Sequence, residues 1–406
     1  MRGRKGNESS RDKLAAAMAK LNRGDDDELA AYAGPLSLEV KTTEKKKDMW
    51  QTQIVSCGSN AFGQGYFQDI MSTTFKALRF DNSSDSFDEI ACGSTLSAAR
   101  TCTGNLYIWG SGLPSGQIRI PSLIPLQNVL KVSCGASHIG VITEDRKVYT
   151  WGSGENGMLG HCNRTAVNAP KLVESLQEVS AFDISCGSYH TAVVGARAGD
   201  LSYIQLPQAS PSSSSTHSIV ERLRQEENCR FLTCGDLYTF GLAKAGQLGL
   251  GTDISKGFVS SPSLVQHFPE NGYKVANVSC GMHHTVVLAV PVHSVRVFMT
   301  HVFTFGWGEH GRLGTGNEEN QWAPRQVTFP TNFHALHISA GEQHTLAAGH
   351  VESYAWGSNS FGQLGIGNPT HTENAVSVLI NSHRNQYALN HIHIFVFFCK
   401  INANFS

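Results

Sequence analysis

The chain has 406 residues, with 32 Lys and Arg against 33 Asp and Glu, a formal net charge of −1. That length holds one large domain or two to three small ones, and the balanced charge excludes a global basic or acidic field that would steer it to nucleic acid or away from it. No apolar run reaches the ~18 residues needed to span a bilayer, and Met-Arg-Gly-Arg-Lys-Gly opens no secretory signal, so the sequence reads as soluble and intracellular, with no choice between nucleus and cytoplasm.

Residues 1–50 differ in composition from the rest of the chain. An alanine-rich, helix-favouring stretch at 10–22 is followed by an acidic block at 24–28 and Lys45–Lys47, with few large apolar residues. Charge in blocks and little to bury predict a flexible charged arm. Arg2, Arg4 and Lys5 are too few cations to mark a nucleic-acid-binding tail.

From residue 54 one sentence recurs. VYTWGSGENGMLG (148–160) is echoed by LYTFGLAKAGQLGLG (237–251), VFTFGWGEHGRLGTG (302–316) and YAWGSNSFGQLGIG (354–367), with shorter versions at 54–65 and 106–112. Gly152, Gly154 and Gly157 alone spell a dinucleotide fingerprint, but that motif needs a helix after the loop and is needed once. A loop that returns along the chain marks an internal repeat instead. A second recurring half precedes it: VSCGASH (132–138), ISCGSYH (184–190), VSCGMHH (278–284) and ISAGEQH (338–344), each followed by another apolar run. Each unit therefore holds about four short strands with turns between them. Successive Gly58, Gly110, Gly152, Gly241, Gly306 and Gly357 set a period of roughly 50 residues. The long step between Gly152 and Gly241 contains an insert at 196–233 rich in Ser and Pro. A four-stranded unit cannot bury both faces alone, so the repeat predicts an all-β β-propeller of about six blades over 51–370.

Six of the ten cysteines, Cys57, Cys92, Cys134, Cys186, Cys234 and Cys280, stand immediately before a glycine, and no C-x-x-C occurs. They read as small buried residues, not as zinc or redox chemistry. The segment 371–406 ends in an unrelated HIHIFVFFCKINANFS, where His391 and His393 lack a third ligand. It reads as an atypical tail that leaves the propeller incomplete at its C-terminus. No metal, cofactor or small-molecule substrate is expected.

The two halves together resemble the repeat of the RCC1 (regulator of chromosome condensation) family. The resemblance covers residues 54–370, including the proline positions Pro170 and Pro324. It implies a propeller that in the family has seven four-stranded blades. It also implies protein partners, in the best-known case a small Ran-type GTPase whose nucleotide exchange one propeller face promotes without covalent chemistry. The family's functional loops correspond here to the G-x-x-H turns. Candidate partner-binding residues are therefore His138, Tyr189, His190, Met282, His283, His284, Glu342, Gln343 and His344. Only Glu342 is acidic among these turns, and the first one, Gly93-Ser-Thr-Leu96, lacks the histidine.

A histidine that returns once per unit is also what a turn-locking hydrogen bond would produce, whereas Tyr189, Met282, His283, Glu342 and Gln343 vary without being dictated by the fold. Two functional readings remain: a propeller regulating a small GTPase, as an exchange factor, or a non-exchanging scaffold for chromatin, cytoskeletal or other protein partners. No G-x-S-x-G, H-E-x-x-H or paired carboxylates point to an enzyme.

Overall fold

The computed structural model describes residues 54–59, 71–78, 86–197 and 234–378, apart from 253, 255–256, 293–298, 331–332, 350–351 and 368–369. The expected arm at 1–50, residues 198–233 of the insert and the tail beyond 378 lie outside the described residues.

The described chain is all-β, a β-propeller. A two-stranded sheet, β1 (Val55–Ser59) and β2 (Met71–Ala77), comes first. Blade 1 is next, with β3 (Phe87–Cys92), β4 (Leu96–Thr101), β5 (Leu106–Leu113) and β6 (Gly116–Leu123). Blade 2 has β7 (Val129–Cys134), β8 (His138–Thr143), β9 (Val148–Gly152) and β10 (Val167–Leu172). Blade 3 has β11 (Val179–Cys186), β12 (His190–Arg197), β13 (Asp236–Leu242) and β14 (Phe258–Leu264). After the short helix α1 (His267–Glu270), blade 4 has β15 (Tyr273–Cys280), β16 (His284–Pro291), β17 (His301–Gly306) and β18 (Gln321–Gln326). Blade 5 has β19 (His337–Ala340), β20 (His344–Ala348), β21 (Ser353–Gly357) and β22 (Thr372–Ser377). Each blade is an antiparallel meander, its strands paired in chain order. Five complete blades and one two-stranded sheet are what the described residues hold of the repeat.

Position in the meander sets the sequence pattern. The second strand of a blade is covered on both faces, so β8 is buried at every residue and reads HIGVIT, a continuous apolar run. The outer strand β6 faces solvent along most of its length. The core is divided among the seams. One cluster joins Leu96, Leu106 and Ile108 of blade 1 to Val132, Ile139 and Trp151 of blade 2. Others join blade 2 to blade 3, blade 3 to blade 4 and blade 4 to blade 5. Ile54 and Leu78, flanking the two-stranded sheet, pack on Phe87, Ala99 and Trp109 of blade 1. At about 1.5–3 kcal/mol per large apolar side chain, these seams supply most of the drive to stack.

The inner strands add a repeated polar pattern. Ser133, Ser185 and Ser279 each accept a hydrogen bond at Oγ from the backbone N–H of Cys186, Cys280 and Ala340 on the next blade, all at 2.9 Å. Two residues before Ser185 on the same strand, buried Asp183 pairs with Lys131 of blade 2 and accepts from Asn277 Nδ2 and Val278 N of blade 4. The chain therefore crosses two seams with one carboxylate.

At the axis the blades meet through glycine. A Cβ on Gly135 would lie 2.5 Å from Gly187 O, on Gly187 2.6 Å from Gly281 O, and on Gly281 2.4 Å from Gly341 O. The same Cβ on Gly187 would lie 2.4 Å from the His190 ring. The recurring C-G and A-G dipeptides thus mark close backbone approach between blades. Gly187→Ala is expected to destabilise the fold by about 1–3 kcal/mol, read as a lower urea midpoint. An unchanged midpoint would refute the close approach.

Candidate functional site

The loops joining the first and second strands of all five blades gather at one end of the axis. They line a solvent-open recess of about 280 Å³ formed by Gly93, Ser94, Gly135, Ala136, Gly187, Ser188, Gly281, Met282, Gly341 and Glu342. Antiparallel pairing places the Gly-rich loops after β9, β13, β17 and β21 at the same end.

The four sequence-predicted histidines at the end of these turns lie in the seams. His138, His190 and His284 are fully buried and His344 is nearly so. His138 Nε2 meets Thr191 Oγ1 of blade 3 at 2.9 Å, His190 Nε2 meets Thr285 Oγ1 of blade 4 at 2.9 Å, and His284 Nε2 meets Thr345 Oγ1 of blade 5 at 3.0 Å. Each threonine donates its own proton back to the preceding blade, to Met158 O, Gln247 O and Arg312 O respectively. A hydroxyl has one proton, so the imidazole must donate from Nε2. The turn itself is closed by backbone, Gly187 N to His190 O for example, so the side chain locks two blades and not its own turn.

Blade 1 shows the rule by exception. Its histidine position is Leu96 and the facing threonine position on blade 2 is Ile139, both buried in one cluster. The polar pair is replaced by an apolar pair, and Thr95 Oγ1 crosses this seam instead, to Ala136 O at 2.8 Å.

The Gly-rich loops are seam elements too. In place of the helix that a dinucleotide fingerprint requires, Glu155–Gly157 forms one 3-10 turn. Gly152 holds φ 115°, and a Cβ there would strike Ser137 O and His138 Cα; both explain the glycine that recurs after the aromatic. Further along the loops, Gly160, Gly249 and Gly314 press on Phe240, Phe305 and Trp356 of the next blade. Cys162 N, Gly251 N and Gly316 N then bond to Ser260 O, Trp322 O and Glu373 O on the outer strands of those blades.

With the histidines enclosed, the other predicted residues form the half-buried floor of the face. Tyr189 of blade 3 stacks on His283 of blade 4, ring centroids 5.2 Å apart, and His283 meets Trp307 edge to face at 5.2 Å. Met282 and Glu342 line the recess, while Gln343 O accepts from Ser358 N and ties its turn to the loop after β21. Sequence reasoning missed Trp307 and Arg312. Arg312 stands where Gln247 and Gln363 stand in two of the other loops and Met158 in the third, and a charge at that position was available as a signal. Its side chain is fully buried, with the guanidinium 4.7 Å over the Trp307 ring, Nε on Glu309 O at 2.7 Å and Nη2 3.5 Å from the Glu309 carboxylate. Burial pulls Arg312 down to about 10, opposed by Glu309, Glu342 and Glu318 around it. Burial raises the Glu342 carboxyl, which Arg312 partly offsets. Burial and then Arg312 hold His283 down to about 4.

Among known families, the regulator of chromosome condensation (RCC1) repeat matches at residues 145–194, 235–288 and 301–348, and a second model of that repeat matches at 129–157. The chain carries RCC1 repeats. The curated relatives it is similar to are diverse. The ultraviolet-B receptor UVR8 of Arabidopsis thaliana is 29% identical over 257 residues, 59% of this chain and 56% of the receptor. The human E3 ubiquitin-protein ligase HERC2 is 28% identical over 70% of this chain, which spans only 5% of the ligase. The secretion-regulating guanine nucleotide exchange factor of Bos taurus is 27% identical over 73% of this chain and 60% of its own length. The chain thus spans about half of the receptor and a small part of the ligase. Among solved structures, Prp20p of Saccharomyces cerevisiae, described with its binding properties to Gsp1p and histones, superposes with a TM-score of 0.61 at 17% identity, covering 82% of this chain and 74% of Prp20p. At that identity the likeness supports the propeller fold.

The enclosed RCC1-repeat histidines make stability depend on pH. His344 is drawn down to about 4 by burial, and His284 is held well below the ordinary value by burial and by Arg312, His344, His190 and His283. The unfolded chain takes up these protons near pH 6.5 and the folded chain does so only far lower. Stability is therefore full above pH 6.5 and declines as pH falls from there toward 4. Urea midpoints measured across that range should show the decline, and His344→Gln should flatten it; a flat wild-type profile would contradict the buried neutral imidazoles. In a double-mutant cycle, His190→Leu with Thr285→Ile should cost less than the two single changes summed, by about 0.5–3 kcal/mol, because Leu96 and Ile139 already make that pair. Additive costs would show that the two residues are not coupled.

Proposed function

We propose that this RCC1-repeat propeller is a protein-interaction module whose partner docks on the loop face at Tyr189, Met282, His283, Glu342 and Gln343. One observation carries the reading. The repeated residues of these turns are consumed in the seams, whereas the residues between glycine and histidine differ from blade to blade and present themselves around the axial recess. Residues that the fold does not dictate, gathered on one face by a rigid scaffold, are where recognition is placed.

The finer form of the reading is regulation of a small GTPase. It is supported by the exchange-factor relative and by the Gsp1p-binding yeast propeller of the same fold. Exchange would require no nucleophile, only a face that binds the nucleotide-free GTPase better than the loaded form. The competing form is a scaffold, which the receptor and ligase relatives favour.

Pull-downs with the wild type and with Tyr189→Ala and Met282→Arg separate these. Partners are expected to be lost from both variants while the urea midpoint changes little, and partners retained by both would overturn the face. Nucleotide release from a panel of small GTPases then decides the finer form: acceleration lost in Met282→Arg supports exchange, and no acceleration with any of them removes it in favour of the scaffold.

A further inference from the structure

The sector of the loop face over blades 3 to 5 has a chemical character of its own. Three rings, Tyr189, His283 and Trp307, form a half-buried strip across the seam between blades 3 and 4. Three carboxylates, Glu309, Glu342 and Glu318, act electrostatically on the guanidinium of Arg312 at the strip's end, Glu309 from 3.5 Å. That cation is fully buried beneath Trp307, whereas Glu309 is 46% exposed and Glu318 is exposed. The loop surface of blade 4 therefore presents carboxylates and ring faces, with Arg312 turned inward and Lys244, on the loop of blade 3, exposed to the side of the strip. Phe361, at the tip of the neighbouring loop after β21, is 77% exposed and adds an apolar edge. His283, with its affinity for protons lowered to about 4, remains neutral and repels no cation.

We propose that this strip docks a basic segment of a partner protein, with an arginine or lysine side chain lying along Trp307, His283 and Tyr189 and its charged head among Glu342, Glu318 and Glu309. The inference rests on the loop face being the interaction face and adds the chemistry of its partner. An aliphatic stem over aromatic rings and a cation beside carboxylates satisfy both parts of the surface at once. An acidic segment would meet three carboxylates with its own charge, against a single exposed lysine, Lys244 of the blade 3 loop, among the described residues of the Gly-rich loops on this sector.

The test uses the whole chain and a short fluorescein-labelled peptide of alternating arginine and glycine, with a glutamate-for-arginine peptide as its counterpart. Fluorescence anisotropy should show saturable binding of the basic peptide that weakens with salt, and none of the acidic one. Glu318→Lys, at an exposed position that does not carry the fold, should weaken binding about tenfold, and Trp307→Ala should weaken it comparably. Glu144→Lys, in the exposed turn between β8 and β9 at the opposite end of the blades, should leave it unchanged. Binding untouched by Glu318→Lys, or weakened equally by Glu144→Lys, overturns the inference. If cellular partners are lost from Met282→Arg yet retained by Glu318→Lys, the interaction face stands and the basic segment falls; partners indifferent to both overturn the face itself.

Discussion

In three successive seams a buried imidazole gives its Nε2 proton to a threonine of the next blade, and that threonine returns its own proton to a loop carbonyl of the first. The glycines and loops of these three seams are arranged around this exchange. The glycine that opens the turn must be bare, because the imidazole lies against its Cα. The Gly-rich loop must fold back over the blade edge, because its carbonyl is the second acceptor. Each hydrogen bond contributes only about 0.5–1.5 kcal/mol, less than one buried valine or leucine. Its larger role is directional. Apolar seams tolerate sliding, whereas an imidazole and a hydroxyl buried away from water are costly unless they meet.

The inner strands refine the same constraint with charge. Asp183 holds Lys131 on one side and Asn277 on the other, so blade 3 is matched to its neighbours on both sides. Blade 1 departs twice, with Leu96 for the histidine and Ala91 for the serine, so at these two positions its seam with blade 2 is apolar. There Arg100 stitches Asp88 and Glu89 together and reaches Val129 O of blade 2. A repeat fold can change the chemistry of one seam provided both partners change together.

The loop face gains its freedom from this division. Since the histidines are spent between blades, the residues beside them carry no structural duty at their tips. Tyr189 and His283 are therefore able to stack across a seam, and Arg312 can replace a glutamine at a buried position because Trp307 and Glu309 receive its guanidinium.

By itself the sequence determined the all-β propeller. Its period of roughly 50 residues and its alternation of apolar runs with Gly turns are properties of local backbone geometry, which a linear pattern records. The tertiary structure alone decided what the repeated residues are for. The spacing of His190 and Thr285 along the chain says nothing of their contact, because seam partners lie one blade apart in sequence. For the same reason the loop of residues 148–160, which spells a nucleotide fingerprint, is a clasp on the outer strand of blade 3. The strip of Tyr189, His283 and Trp307 was likewise illegible, since its rings come from three separate loops that only the stacking of blades brings within 5.2 Å.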